Sequence, residues 1–287
     1  MQKNNNLSPL PWYTSINEQN HRMSYAYGAV YPLYTQALTM LPFQIVRPHS
    51  NATIQHVELY RLDGTLYADI TERMIDTGLQ IIPFATLGYD VILYRGFAPI
   101  LDVQLDGQYY AMLGDGVTTW YSEVFTVVQD ISPYLKIEWY SKENVIFEGG
   151  QIVYDHETFY HNVLYFDAQV GKPDYKFSEE GEERDGFFFP EKQLSEKVYK
   201  FSILAPEYLC DCMRLIRMAD YVRITDRYGR IYDCDTFLIT PKWEAQGDVA
   251  SVEVEFETDT VIKKIGRGYI LRNEGDFNND YDNDYNS

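Results

Sequence analysis

The histidines and cysteines are the side chains best suited to hold a metal, and their spacing does not favour a metal site. His156 and His161 flank a glutamate, but helices that bind zinc through two histidines place them four residues apart on one face. When two residues are five positions apart, their side chains point about 140° apart on a helix and to opposite faces of a strand. Cys210 and Cys212 also diverge on a predicted helix. We therefore predict no metal ligand here and assign both cysteines to the core.

The carboxylates give no stronger indication of chemistry. Asp280, Asp282 and Asp284 alternate like the first ligands of a calcium loop, but Tyr285 stands where that loop requires glycine. Glycoside hydrolysis needs two carboxyl groups at a defined separation in space, which a sequence does not supply. A glycine-rich phosphate loop, a nucleophile elbow and a dinucleotide fingerprint are all missing from the sequence. We predict no catalysis and no cofactor, and keep a glycoside or peptidoglycan hydrolase as the third alternative.

Composition limits the classes of partner. The 287 residues are 45% hydrophobic, enough for two domains with real cores. Acids exceed bases by 43 to 24, a net charge of −19, which argues against nucleic acid and anionic membranes as partners. No apolar run approaches the roughly 18 residues of a membrane span. Three cysteines are too few for a disulfide framework, which indicates a reducing compartment.

A compact β–α–β–β pattern is the best-defined unit of the chain. Residues 198–204 alternate as a half-buried strand, and Pro206 with Glu207 favours the start of a helix predicted at about 206–219. Asp226-Arg227-Tyr228-Gly229 then predicts a hairpin turn. The last strand, at 250–257, places Glu253, Glu255 and Glu257 on one face. That face is expected to contact solvent or, in a ring, basic groups of the next subunit.

Four segments follow from patterning along the chain, and the fold class is mainly β. Residues 1–42 predict an extended aromatic arm and residues 43–129 an immunoglobulin-like β-sandwich of about seven strands. Residues 130–272 predict a β-rich α+β domain with one principal helix. Residues 273–287 are acidic and predict a solvated tail.

Two sets of residues are predicted to form interfaces. The first set is the aromatic side chains of the arm, because tyrosine and tryptophan concentrate binding energy; the alternative is packing on the chain's own fold. The second set is an acidic loop that leads into a phenylalanine run; the alternative there is a surface loop followed by a buried strand. The residues are Trp12, Tyr13, Tyr25, Tyr27 and Tyr31 in the arm, and Glu179, Glu180, Glu182, Glu183, Phe187 and Phe188 in the loop.

Two resemblances extend these predictions. Residues 105–113 with 119–125 resemble the last hairpin of immunoglobulin-like and fibronectin-type-III-like modules. The succession of the run 187–189, the helix, the hairpin and the strand Val252-Glu253-Val254-Glu255-Phe256 resembles the sheet-plus-helix domain of distal-tail and tail-tube-related proteins of tailed bacteriophages. Residues 236–243 are similar to structural proteins of phages and prophages of gut bacteria. In this chain the sandwich precedes the ring domain, which departs from the usual order.

The phage resemblance implies a non-enzymatic virion component of the tail, neck or baseplate. Such domains close into rings of identical copies and contact other virion proteins or fibres, and the protein would be made in the host cytoplasm. The alternative is a carbohydrate-binding or adhesin protein, in which exposed tyrosines and Trp120 stack on sugar rings.

Overall fold

A computed structural model describes residues 7–16, 32–36, 39–96, 106–154, 157–244, 249–258 and 262–265. The mainly-β class is confirmed, since strands account for most of these residues. No helix in these ranges is long and apolar enough to cross a membrane.

The first half of the chain contributes ten strands and one short helix within the described residues. They are β1 Trp12–Tyr13, β2 Tyr34–Gln36, β3 Phe43–Pro48, β4 His56–Arg61, β5 Leu66–Asp69, α1 Thr71–Asp76, β6 Gln80–Phe84, β7 Tyr89–Tyr94, β8 Gly107–Gly114, β9 Thr119–Ser122 and β10 Phe125–Val128; a 3-10 turn covers Ala85–Leu87.

Strand β8 organises a seven-stranded sheet in this half. Strands β4 and β5 lie on one side of it, and the pairs β9–β1 and β10–β2 lie on the other. The β2–β10 pairing is parallel. A separate three-stranded sheet has the order β3-β7-β6. Alternation explains the core: Val57 and Leu59 of β4 and Ala111 and Leu113 of β8 are buried. The short helix α1 was not predicted.

The second half forms an eight-stranded sheet and a small hairpin. Its strands are β11 Leu135–Tyr140, β12 Val145–Phe147, β13 Gly150–Ile152, β14 Asn162–Phe166, β15 Asp174–Arg184, β16 Phe187–Pro206, β17 Tyr221–Thr225, β18 Ile231–Trp243, β19 Val249–Thr258 and β20 Ile262–Ile265. The order is β14-β11-β17-β18-β19-β16-β15, and β20 also pairs with β16. Strands β12 and β13 form the hairpin.

The predicted helix is found at the end of β16. An α-helix, α2, covers Glu207–Met213, and a 3-10 helix continues over Arg214–Met218. Leu209, Cys212, Met213 and Ile216 are buried on one side, as their spacing predicts. The helix therefore covers the sheet, and Cys210 and Cys212 belong to the core.

A long β-ribbon replaces the predicted acidic loop. Strands β15 and β16 pair from Asp174 with Val198 to Arg184 with Phe187. Asp185 and Gly186 join them with φ values of 52° and 82°, which suits a two-residue hairpin turn, for which Asp-Gly is a preferred sequence. The loop prediction for residues 179–185 was wrong, because this turn signal lies at the end of the acidic run and continues the strands on both sides. We call residues 174–197 the ribbon.

The main hydrophobic core includes residues from both halves of the chain. Leu10 and Trp12, from the first half, belong to the same buried cluster as Trp139 and Phe256, from the second half. Gln44 of β3 links the halves directly: its side chain donates to the Val153 carbonyl at 2.8 Å and accepts the Val153 N–H at 2.9 Å.

A buried charge cluster closes one end of the first half. The Arg47 guanidinium donates to Asp115, lies 3.3 Å from Asp90 and donates to the Ala52 carbonyl at 2.6 Å. The Asp90 carboxylate also contacts Nδ1 of His49 at 2.6 Å. Burial acts to raise the pKa of both aspartates, but hydrogen bonds and the Arg47 charge outweigh it, so each pKa lies below its ordinary value.

We expect the fold to lose stability in acid through this cluster. A carboxyl group whose pKa is lowered by folding stabilises the folded state above its unfolded pKa of 3.8 and loses that contribution as pH falls toward the folded pKa. Urea unfolding measured from neutral pH to below 3.8 should therefore show a falling free energy of unfolding. The Asp115→Asn variant should show a shallower decline. An equal decline in the variant would contradict this assignment.

Candidate functional site

The ribbon carries large aromatic side chains into solvent. Phe187, Phe188 and Phe189 are 70%, 48% and 52% exposed, and Tyr175 and Phe177 are exposed as well. So many exposed large apolar side chains on one element are unusual on a protein that acts alone and indicate an interaction site. The predicted alternative, in which the phenylalanine run is a buried strand, is contradicted: the run is a strand but is exposed.

Carboxylates lie opposite two of these rings on the paired strand. Glu183 is directly opposite Phe188, and Glu182 is opposite Phe189. Nearer the base, Gln193 donates to Glu179 at 2.6 Å and Lys192 to Glu180 at 3.1 Å. All four predicted acidic residues are exposed. The tip therefore combines apolar rings with negative charge.

The ribbon also has an open edge. All 11 residues of β15 pair with β16. Among the described residues, no strand pairs with the other side of β15. An edge strand offers its outward N–H and C=O groups to another strand, and proteins commonly use such edges for association.

The predicted glutamate row on β19 has its basic partners within the same chain. Lys176 lies 2.9 Å from Glu255 and 2.8 Å from Glu257, Lys200 lies 3.1 Å from Glu255, and Lys242 lies 3.2 Å from Glu253. Hydrogen bonds from Lys176 and Lys200 lower the pKa of Glu255. These carboxylates thus pair adjacent strands and do not require basic groups from a neighbouring subunit.

A small, salt-dependent stability effect is expected for Glu255→Gln. The side chain is 26% exposed and its lysine partners are more so, and exposed ion pairs contribute about 0.2–1 kcal/mol. Urea unfolding at low salt should detect a loss of that order, which shrinks at high salt as the charges are screened. A loss several times larger, or one independent of salt, would contradict it.

A groove lies at the base of the ribbon. Its volume is about 740 Å³, within the range of small-ligand and peptide sites. Tyr199 and Tyr232 form its floor, with ring centroids 5.0 Å apart, and each packs on Phe256. Tyr228 and Ile231 line it with exposed side chains. The groove is therefore aromatic at its floor and apolar at its rim.

The carboxylates of the groove have hydrogen-bond donors within the same hairpin, whereas its cations have no described carboxylate partner. Its two carboxylates are held by their own hairpin: Asp226 accepts the backbone N–H groups of Tyr228 and Arg230, and Asp233 accepts from Arg223. The basic residues of the lining are Lys172 and Arg230, and Arg227 lies against the Tyr228 ring. The guanidinium groups lie 5.3 and 5.6 Å from the centre of the Tyr228 ring. In the described part of the chain, no carboxylate pairs with these three cations.

Two of the five predicted arm anchors pack on the chain's own fold, which was the alternative prediction. Trp12 and Tyr13 are buried in the chain's own core, where the Trp12 ring lies 4.7 Å from Phe43. They cannot serve as anchors for another subunit, because their side chains are only 3% and 2% exposed and β1 is held against β9. Tyr25, Tyr27 and Tyr31 lie outside the described residues.

The remaining candidates that the structure describes form neither a metal site nor a reactive nucleophile. Among the described residues, no group of three or more His, Cys, Asp or Glu side chains is arranged to bind a metal. Burial raises the pKa of the Cys210 thiol to about 11 and raises that of Cys212 further, which suits packing more than reactivity. His156, Asp280, Asp282 and Asp284 lie outside the described residues.

Sequence reasoning missed the groove, although one signal for it was present. The hairpin turn was predicted, but its Arg-Tyr-Gly-Arg sequence also places a tyrosine between two cations at an exposed tip. Lys172 carried no signal, because its position depends on how the segment before β15 meets β18. Comparison of the chain with protein-family models, curated proteins and solved structures finds no match.

Proposed function

We propose that this chain is a non-enzymatic structural subunit that assembles with copies of itself through the ribbon. The observation that carries the proposal is the set of exposed phenylalanines at the tip, Phe187, Phe188 and Phe189. Each such ring brings about 150–250 Å² of surface to an interface when covered. Aromatic residues with a polar surround are also the usual centres of protein interfaces.

The ribbon is dispensable for the core, which supports a role in contact. The buried clusters contain residues of β16 only from Val198 onward, so the part before it adds little to them. A strand pair that extends beyond the hydrophobic core exposes both of its faces and the unpaired backbone groups of one edge, and such exposure lowers the solubility of the single chain. Contact with another chain offsets that cost.

A place in a tailed-phage virion is the finer part of the proposal. It is supported by the sequence resemblance to distal-tail and tail-tube-related proteins, in which sheet-plus-helix domains form rings. Other virion proteins or fibres would then be further partners. A long exposed ribbon beside a helix-covered sheet is compatible with that role.

Imaging of the purified full-length chain tests the proposal. We expect single-particle images with rotational symmetry or regular filaments, formed without any added partner. Particles of single-chain size at every concentration tested would overturn it.

Carbohydrate binding is the second candidate, and the groove is the observation that favours it. An exposed tyrosine ring such as Tyr228 can stack on a sugar, while Lys172 and Arg230 can bind carboxylate or hydroxyl groups. A glycan array probed with the wild-type chain and with Tyr228→Ala tests this function. Retention of wild type alone would support it, and equal retention or none would exclude this site.

A further inference from the structure

The groove at the ribbon base and the ribbon tip are complementary in charge and in apolar character. The groove offers Lys172 and Arg230 without described carboxylate partners, together with exposed Tyr228 and Ile231. The tip offers Phe188 directly opposite Glu183. The chain as a whole carries a net charge of −19, whereas the groove brings two cations together beside exposed apolar side chains. A negative, aromatic ligand is therefore the type that this groove fits.

The tip of a chain cannot reach the groove of the same chain. Tyr199 in the groove and Phe187 at the tip belong to one continuous strand, β16. Twelve residues separate them, which corresponds to about 40 Å at roughly 3.3 Å per residue. The strand is hydrogen-bonded to β15 throughout the ribbon and to β20 over Lys192–Ser195. It cannot fold back without breaking these ladders, so only another copy can supply the tip.

We propose that the ribbon tip of one copy docks in the groove at the ribbon base of the next copy. Phe188 covers the exposed Tyr228 and Ile231, and Glu183 pairs with the cations of the groove. The contact joins two different surfaces, so every copy presents one free tip and one free groove. Repetition of such a head-to-tail contact gives a closed ring or an open filament. This inference rests on the proposed self-assembly and adds which two surfaces meet.

Two variants separate the surfaces. The tip variant carries Phe187→Ser, Phe188→Ser and Phe189→Ser, and the groove variant carries Lys172→Glu and Arg230→Glu. All five side chains are exposed, so both variants should stay folded at room temperature, which circular dichroism checks. A matched control carries Lys142→Glu and Arg217→Glu, which makes the same charge change at exposed residues outside the groove.

The test is the mass of each protein in solution, alone and mixed, by size-exclusion chromatography with light scattering. We expect each variant alone to be a single chain and the control to assemble like wild type. An equimolar mixture of the two variants should give a heterodimer and nothing larger, because only one intact tip and one intact groove remain in each pair.

The outcomes distinguish this inference from the function on which it rests. If wild type assembles and the groove variant assembles equally well, the tip docks elsewhere and the inference is wrong while the proposed function stands. A mixture that stays monomeric also contradicts it. If wild type itself is a single chain, both are overturned. Glycan retention by the groove in an assembled wild type would show that the groove is free, which again contradicts the inference alone.

Discussion

Replacing Phe187, Phe188 and Phe189 together by serine should abolish self-assembly while leaving the fold intact. Burial of a phenylalanine side chain contributes about 1.5–3 kcal/mol, and alternation places Phe188 on one face of the strand and Phe187 and Phe189 on the other. A contact made by one face therefore loses one or two rings, and at about 1.4 kcal/mol for each tenfold change the affinity should fall roughly tenfold or more. Because all three rings are exposed in the single chain, the thermal unfolding temperature should not fall. Sedimentation velocity and thermal unfolding measure the two quantities.

A matched control makes this result specific to the ribbon. Leu87 and Val117 are 62% and 78% exposed and lie in the first half of the chain. Their replacement by serine removes exposed apolar surface away from the ribbon and should leave assembly unchanged. Loss of assembly in both proteins would show that general hydrophobic association, and not the ribbon, holds the copies together.

Arg47→Met should strongly destabilise the fold. It leaves the buried carboxylates Asp90 and Asp115 without their cation, and removing one partner of a buried ion pair costs about 3–5 kcal/mol. Urea unfolding at neutral pH measures the loss. The control is Arg214→Met, since Arg214 is exposed and reaches Asp211 only at 3.9 Å; we expect a loss below about 1 kcal/mol there.

The charge explanation can be separated from a packing effect. Adding Asp90→Asn and Asp115→Asn to Arg47→Met removes the unpaired buried charges, so the combined variant should be more stable than the sum of the separate losses predicts. A purely additive result would mean that the charges do not interact as the distances indicate.

Local patterns predicted much of the fold. Alternation located the second part of β16, at residues 198–204, and the strand β19, because a strand with one buried face repeats every two residues. Pro206 and Glu207 located the start of the helix α2, and Gly229 located the β17–β18 turn. These features depend on neighbours in sequence, which is why they could be found without coordinates.

Features set by distant contacts could not be predicted. Trp12 looked like an exposed anchor, but its ring packs on Phe43 because β1 pairs with β9, more than a hundred residues away. The Glu253, Glu255 and Glu257 row looked free until its lysines on β15, β16 and β18 were located. The Asp185-Gly186 turn is different, since it was visible in the sequence and was overlooked inside an acidic run.

The predicted site shows the same difference between features set by neighbours in sequence and features set by distant contacts. Glu182, Glu183, Phe187 and Phe188 lie together at one exposed tip, while Glu179 and Glu180 lie nearer the base of the ribbon. The groove that we propose as their partner is built from segments near 172, 199 and 230, which only the sheet order brings together.

The most direct test of self-assembly through the ribbon is the mass of the wild-type chain in solution as its concentration rises. Self-assembly predicts masses that are multiples of the single chain, lost in the variant with serine at 187–189. A wild-type protein that remains a single chain throughout the concentration range would contradict it.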